Sequence, residues 1–193
     1  MTLILGSQSP RRKEILNFFT IPFTQQTSGF DEASVQFNGD PDSYVCAVAH
    51  GKARALVEQY PNALILTADT EVYREGKIYG KPKSDKEALD MLRELSGHWH
   101  SVHTGLTLRR GHEEQTASEQ TRVLFSLATD KQLEHYVKSI HSTDKAGGYA
   151  IQGNGGIIVQ RIEGCYYNVM GMPIHTLTKL LHRFGVDLWE HLG

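Results

Sequence analysis

Strand-length apolar runs alternate with amphipathic helical stripes along the first half of the chain, and this alternation constrains the fold most. The runs at Thr2–Gly6 and Ala63–Ala68 have the length and the leucine and isoleucine content of buried strands. A helical stripe between them is made of Val45, Val48, Ala49, Ala53 and Leu56. Strands and helices in alternation predict an α/β fold whose sheet is partly parallel.

The middle of the chain follows a different pattern. Strand-like runs at Val102–Leu108 and Thr121–Leu127 follow each other directly, with a turn at Arg110–Gly111, which indicates antiparallel pairing. A last strand is predicted at Ile157–Ile162. We therefore predict an α/β fold with a mixed, twisted central sheet and helices on both faces, in one domain that spans residues 1–193.

Four further helices are predicted from apolar positions that recur at helical spacing. They are centred on Ile15–Phe19, Ala88–Leu95, Leu133–Val137 and Ile174–Phe184. Ser84 and Glu87 have the spacing of a capping box at the start of the second of these. Pro173 and Gly185 stand where the last helix is expected to begin and end.

The composition argues against several classes of protein. The 193 residues carry a formal net charge of −2, whereas proteins that coat nucleic acid have a strong basic excess. Cys46 and Cys165 lack the spacing of a metal site, and we expect both to be reduced thiols. No apolar run reaches the about 18–20 residues of a membrane span, and the start has no basic leader. We expect a soluble, cytoplasmic protein without nucleic-acid or membrane partners.

Residue types that bind phosphate are concentrated just after the first strand. Ser7 and Ser9 follow the strand, Pro10 stands where a helix begins, and Arg11 and Arg12 come next. A helix N-terminus favours anions, and arginine makes bidentate contacts to phosphate. The spacing differs from that of a P-loop. An ordinary helix start with solvated arginines is the alternative interpretation.

A second candidate segment follows the buried run at Ala63–Ala68. Asp69 and Thr70 come directly after it, and a carboxylate at the carboxyl end of a strand can act as a general base or bind a divalent metal. An aspartate that caps a turn would give the same pattern. Glu71 adds a second acid, and its role is left open.

Lys52 is the most informative single residue, because it lies in the middle of the apolar stripe of the second predicted helix. Burying an unpaired ammonium group is costly, so this lysine needs an anionic partner unless its stem reaches water. Lys81, in the sequence Gly-Lys-Pro, supplies another cation shortly after Asp69. Glu32 is a further candidate metal ligand, although it equally fits a solvated loop.

Two other clusters contain residue types that are common in binding sites. The glycine-rich stretch from Asp144 to Val159 contains Gln152, whose amide could bind a base or a ribose; a plain loop is the alternative. The histidines His98, His100 and His103 lack the spacing of a zinc site and have no cysteine partner. We expect these histidines to lie at the surface or on an edge strand.

Taken together and in this order, these stretches resemble the Maf family of nucleoside triphosphate pyrophosphatases. The matching segments are Ser7–Arg12, Lys52–Ala53, Ala68–Thr70, Gly80–Pro82, Leu95–Gly97 with His100, Asp144–Gly153 and Met170–Ile174. The resemblance implies a two-lobed, ITPase-like architecture with a cleft. It also implies hydrolysis of a nucleoside triphosphate to the monophosphate and diphosphate with a divalent cation, Mg²⁺ or Mn²⁺.

The resemblance also implies roles for individual residues. Asp69 would be the proton acceptor that activates water, and Glu32 would join it at the metal. Positive charge near the phosphates would come from Lys52 and Lys81. Phosphate contacts would come from Ser7, Arg11 and Arg12.

The order Pro10–Arg11, with no aromatic residue inserted, resembles the branch that acts on dTTP and UTP. In that branch Arg12, Thr70 and Gln152 correspond to positions linked to substrate choice, and modified pyrimidine nucleotides are further candidate substrates. The alternatives are a non-enzymatic, nucleotide-binding regulator of cell division and a metal-dependent phosphatase. A homodimer is left open.

Three residues depart from the family pattern. Gly6 stands in place of an alanine, Glu71 in place of an aliphatic residue, and Ala150 in place of a glycine. A second acid beside Asp69 would alter local pKa values through like-charge repulsion. Alanine in place of glycine would constrain the loop if it needed a positive φ.

Overall fold

Seven strands form one mixed sheet within residues 2–193, which are the residues that the computed structural model describes. The strands are β1 (Leu3–Gly6), β2 (Phe23–Gln26), β3 (Leu64–Arg74), β4 (Lys77–Tyr79), β5 (Trp99–Arg110), β6 (Glu113–Phe125) and β7 (Val159–Glu163). Their order is β2-β1-β3-β5-β6-β7, and β4 also pairs with β3. Strands β2, β1 and β3 run parallel and the other pairings are antiparallel. The mixed sheet predicted from the sequence is confirmed.

The helices are α1 (Pro10–Leu16), α2 (Pro41–Val57), α3 (Asp85–Leu95), α4 (Asp130–Ile140), α5 (Tyr166–Val169) and α6 (Ile174–Arg183). Ser84 caps α3 by accepting a hydrogen bond from the Glu87 N–H. The reciprocal half of the predicted capping box is wrong, because the Glu87 carboxylate accepts from the Lys83 N–H instead. A complete box is found at Thr129 and Gln132, at the start of α4.

Helices cover both faces of the sheet. On one face, Ala53 and Leu56 of α2 pack against Ile4 and Ile65. The other face carries two separate apolar clusters. One joins β1, β3 and β5 to α1 and α6, and the other joins β3, β5 and β6 to α3 and α4. No helix within residues 2–193 has both the length and the apolar character needed to cross a membrane.

Strand β3 lacks a neighbour along part of one edge. Its pairing with β1 stops where Gly6 meets Thr67, and its pairing with β4 starts at Val72. Among the described residues, positions 68–71 therefore have no strand on that edge, although β5 pairs along the other. The strand was predicted to end at Ala68; that boundary is wrong, since pairing with β5 carries it to Tyr73 and pairing with β4 to Arg74.

Other boundaries also differ from the predictions. The short strands β2 and β4 were not assigned, and the predicted strand at Ile157–Ile162 starts only at Val159. Residues Gly153–Ile158 form 3₁₀ turns, and the side chain of Ile157 is exposed. Ala150 has no positive φ, so the loop does not need a glycine there.

Candidate active site

A cavity of about 510 Å³ opens at the gap in the edge of β3. Its walls come from the β1–α1 turn, α2, β3 and the segments around residues 144–151 and 169–171. Eight of the nine residues predicted for the site line it, namely Ser7, Arg11, Arg12, Glu32, Lys52, Asp69, Thr70 and Lys81. The ninth, Gln152, does not line this cavity among the residues that the structure describes.

Arg12 is a buried residue of the cavity wall, and its guanidinium is bound by neutral acceptors. Nε donates to the Gly171 carbonyl at 2.9 Å, and Nη1 donates to Ser7 Oγ at 3.0 Å and to the Ala68 carbonyl at 2.9 Å. Nη2 donates to Thr70 Oγ1 at 2.9 Å. Burial lowers the pKa of Arg12, although the nearby Asp69 carboxylate opposes this effect. Because none of these acceptors is a carboxylate, the positive charge of Arg12 is available to an anion in the cavity.

Gly171 makes this arrangement possible through its backbone geometry. Its φ is +99°, a conformation that side chains disfavour, and a Cβ there would lie 3.1 Å from Thr70 Oγ1 and 3.4 Å from Arg12 Nε. A glycine at this position thus lets the 169–171 segment approach the arginine and present its carbonyl. At the other end, Ser9 caps α1 by accepting from the Arg12 N–H.

Lys52 extends from α2 to the gap in β3. Its Nζ lies 2.8 Å from Asp69 Oδ1, 2.9 Å from Glu32 Oε1 and 3.4 Å from the Ala68 carbonyl. The lysine is 7% exposed and Asp69 is 6% exposed. These carboxylates are the anionic partners that a lysine in an apolar stripe requires. The Ala68 carbonyl therefore accepts hydrogen bonds from both buried cations.

Two carboxylate oxygens in the cavity wall are buried without a hydrogen-bond partner in residues 2–193. They are Asp69 Oδ2 and Glu71 Oε2, and strand alternation places both side chains on the same face of β3. Burial, and then the negative charges of Asp69 and Glu32, raise the pKa of Glu71 to about 8. Buried carboxylate oxygens that lack donors are the type of ligand that Mg²⁺ and Mn²⁺ prefer.

These acids fit a divalent cation only if other ligands complete its coordination. Among the residues that the structure describes, no three His, Cys, Asp or Glu side chains form a ready-made metal site. Magnesium is commonly held by one or two carboxylates together with water and substrate phosphates. The acids at the edge of β3 match that kind of partial site.

Lys81 is an exposed cation that lines the cavity. Lys81 follows β4 in an exposed position. Partial burial acts to raise the pKa of Glu32, but the Lys52 ammonium and the more distant Lys81 hold it below its usual value. Lys81 thus adds positive charge near the acids of the cavity.

Arg11 and Gln152 make exposed contacts with other side chains. Arg11 Nη1 donates to Asp144 Oδ2 at 3.4 Å, and Asp144 also pairs with Lys145. Gln152 Nε2 donates to Glu14 Oε1 at 3.1 Å. Arg11 therefore lines the cavity, whereas the Gln152 side chain is bound to Glu14 of α1.

The expectation that the histidines lie at the surface or on an edge strand is wrong for two of the three. His100 and His103 are 4% and 3% exposed, and β5 is an internal strand of the sheet. His100 shares a hydrogen bond of 3.0 Å with the Tyr149 hydroxyl, and burial lowers its pKa to about 4. His98 is exposed. The strand that these residues occupy is buried because helices cover both of its faces.

His103 lies on the opposite face of β5 from His100. Its Nδ1 is 3.0 Å from Asp42 Oδ1, and its Nε2 is 2.9 Å from Ser101 Oγ. Both ring nitrogens thus have partners outside the cavity.

Sequence reasoning missed the backbone groups of the site. The carbonyls of Ala68 and Gly171 hold Arg12, and a sequence pattern does not show where a carbonyl points. The one signal in the sequence was that Ala68 and Gly171 belong to segments that resemble the Maf family.

This chain is similar to several known proteins. The family model described as Maf-like protein matches residues 2–184. A protein of Chlamydia caviae named dTTP/UTP pyrophosphatase is 46% identical over 191 residues, which cover 98% of this chain and 97% of that protein. A protein of Clostridium perfringens with the same name is 40% identical over 191 residues, covering 97% and 100%. The solved Ham1 protein of Staphylococcus aureus has a TM-score of 0.44 at 14% identity, covering 65% and 72%.

Proposed function

This chain belongs to the Maf-like protein family, and we propose that it hydrolyses dTTP and UTP to the monophosphate and diphosphate. Modified pyrimidine nucleotides are further candidate substrates. The relatives from Chlamydia caviae and Clostridium perfringens that match almost the whole chain are named dTTP/UTP pyrophosphatases. The observation that carries the proposal is that Arg12 and Lys52 both donate hydrogen bonds to the Ala68 carbonyl, next to Asp69. Two buried cations and a carboxylate in one cavity suit a triphosphate.

Charge neutralisation is the first task of such a site, because the negative charge of the phosphate groups repels the attacking nucleophile. Arg12 is held rigidly by neutral acceptors and retains its charge for the substrate. Arg11 and Lys81 also line the cavity, and their side chains can move onto the phosphates. Ser7 Oγ, which already accepts from Arg12, lies where it can also donate to a phosphate oxygen.

Activation of water is the second task, and we assign it to Asp69. Lys52 holds Oδ1 at 2.8 Å and so fixes the orientation of the carboxylate. Oδ2 has no partner within residues 2–193, and its two lone pairs can bind the ion and accept the proton of an attacking water. The water oxygen forms a bond to the α-phosphorus as the α–β anhydride bond breaks, and diphosphate leaves.

A divalent cation, Mg²⁺ or Mn²⁺, is part of the proposal, with Asp69 and Glu32 as protein ligands. When bound, the ion would neutralise charge on the phosphate oxygens. Glu32 is suited to this position because its side chain is half exposed while its Oε1 lies 2.9 Å from Lys52 Nζ. Its carboxylate can exchange between the lysine and the ion.

Substrate choice is assigned to Arg12, Thr70 and Gln152. The Thr70 hydroxyl accepts from Arg12 and shares a hydrogen bond of 3.0 Å with Thr104, so its position is fixed. Gln152 has to leave Glu14 before it can contact a base. We place the enzyme in the cytoplasm, where its nucleotide substrates are, and the homodimer stays a prediction.

The test is a panel of nucleoside triphosphates with Mg²⁺ or Mn²⁺, assayed for phosphate with and without added inorganic pyrophosphatase. With dTTP and UTP we expect inorganic phosphate to be detected only when pyrophosphatase is added. One nucleoside monophosphate should form for each diphosphate released. Orthophosphate released directly would indicate a phosphatase. Nucleotide binding without any turnover would favour the regulator, which the names of the relatives do not support.

A further inference from the structure

Glu71 is a cavity residue that the proposed reaction does not use. It lies two positions after Asp69 on β3 and lines the same cavity. Its Oε2 is buried and has no hydrogen-bond partner in the part of the chain that the structure describes. A buried carboxyl group placed in this way keeps its proton unless a cation or another ligand binds it.

The cationic and polar groups around Glu71 do not supply that partner. Lys52 is held by Asp69 and Glu32, and no ion pair joins Lys81 to Glu71 within residues 2–193. His103, which faces Glu71 across the β3–β5 pair, is bonded at both ring nitrogens to other residues. The Glu71 carboxylate therefore faces the cavity without a cation.

A second acid beside Glu71 also has a buried oxygen without a hydrogen-bond partner in residues 2–193. Asp69 is 6% exposed, lines the cavity and has its Oδ2 buried without a partner in residues 2–193. Residues two apart on a strand lie on one face, about 6–7 Å apart at their Cα atoms. Side chains of this length can converge on one ion from that separation. Two unpartnered oxygens on one wall are thus a donor pair for a hard cation.

We propose that Glu71 is a direct ligand of the divalent cation, a third carboxylate added to Asp69 and Glu32. Within residues 2–193 these acids do not form a metal site by themselves, so the ion and the phosphates have to draw them together. This inference rests on the proposed function, since phosphate oxygens and water complete the coordination. A third protein carboxylate makes the ion bind more tightly before the nucleotide arrives, because the affinity of an oxygen site grows with its charge. An ion bound by both side chains would give Asp69 Oδ2 and Glu71 Oε2 the partner that each of them lacks.

The experiment compares Glu71→Gln and Glu71→Val with the unaltered full-length chain. Glutamine keeps the shape of the acid, and valine is an apolar replacement. Glu134→Gln, at an exposed position on α4, is the matched control. Binding of Mn²⁺ is followed through the paramagnetic resonance signal of the free ion, with and without α,β-imido-dTTP, which resists cleavage.

We expect both Glu71 variants to bind Mn²⁺ about tenfold or more weakly in at least the nucleotide-free measurement, and Glu134→Gln to bind as the unaltered chain does. Each variant is checked by thermal unfolding, and both Glu71 variants are expected to fold because they remove a buried acid. Addition of Mn²⁺ should raise the unfolding temperature of the unaltered chain more than that of either variant.

Equal Mn²⁺ affinity of Glu71→Gln and the unaltered chain in both conditions would overturn the proposal. So would an unaltered chain that binds no Mn²⁺ in either condition. The proposed function fails separately: an unaltered chain that releases no diphosphate from dTTP or UTP rejects the reaction. If its Mn²⁺ affinity still depends on Glu71, the ion site stands without that reaction.

Discussion

Asp69 and Gly105 lie directly opposite each other on β3 and β5. A Cβ on Gly105 would lie 2.6 Å from both the carbonyl carbon and the oxygen of Val45, in α2. The helix therefore rests directly on the backbone of β5. Lys52, which is two helical turns beyond Val45, reaches Asp69 at 2.8 Å because the helix lies this close.

Replacing Gly105 with alanine should therefore damage both stability and activity. The new methyl group meets backbone atoms, which cannot rotate away as a side chain would, so α2 has to shift. We expect the free energy of unfolding in urea to fall by about 1–3 kcal/mol. We also expect diphosphate release from dTTP to fall, because Lys52 moves away from Asp69. Unchanged stability would show that α2 does not rest on the strand.

Replacing Asp69 with asparagine should abolish turnover and leave nucleotide binding nearly unchanged. The amide keeps the size of the side chain but cannot accept the proton of water, and loss of a general base typically costs about 10²–10⁴-fold in rate. Lys52 retains Glu32 as an anionic partner, so the fold should survive. The measurements are kcat for dTTP and the affinity for α,β-imido-dTTP by calorimetry. Turnover at the level of the unaltered chain would reject the role of Asp69.

Replacing Arg12 with lysine should weaken the site although the charge is kept. A lysine ammonium cannot reach the acceptors that the planar guanidinium binds on opposite sides, namely the Gly171 and Ala68 carbonyls and Thr70 Oγ1. Each buried acceptor left without its charged donor costs about 1.5–3 kcal/mol of stability. We expect kcat/KM for dTTP to fall about 100-fold or more.

The control is Arg54→Lys, at an exposed position of α2, which should change neither quantity. If Arg12→Lys keeps the kcat/KM of the unaltered chain, a simple positive charge suffices and the fixed geometry of the guanidinium is not needed.

Patterning along the chain predicts the frame of this fold and the side chains that reach the cavity. Lys52 was recognised because a charged residue in an apolar stripe requires an anionic partner, and that rule depends only on helical period and desolvation. The acceptors of Arg12 could not be predicted, because two of them are carbonyls whose direction is set by strand pairing and by the positive φ of Gly171.

The burial of His100 was missed for a related reason. Several histidines close together are typical of a surface or edge strand, and only the sheet order shows that β5 is internal. The environment of Gln152 was missed because its partner, Glu14, is far away in the sequence. In each case a contact between distant parts of the chain sets the environment of the side chain, and a local sequence pattern does not show that contact.

The buried His100 should make the stability of the protein depend on pH. Burial lowers its pKa from 6.5 in the unfolded chain to about 4 in the folded one. Between these values the unfolded chain binds more protons, so the free energy of unfolding rises with pH in this window. The contribution is fully present above pH 6.5 and is lost as the pH falls toward 4. Its upper limit is about 3 kcal/mol.

The measurement is urea unfolding of the unaltered chain and of His100→Gln from pH 4 to 8. Glu71 acts in the opposite direction, since burial raises its pKa to about 8 and the folded chain binds its proton more tightly. This effect is common to both proteins and cancels in their difference. The difference should therefore decline below pH 6.5 and level off near pH 4. His98→Gln, at an exposed position, should follow the unaltered chain throughout. A pH-independent difference would mean that His100 is already charged in the folded protein or equally accessible to protons in both states.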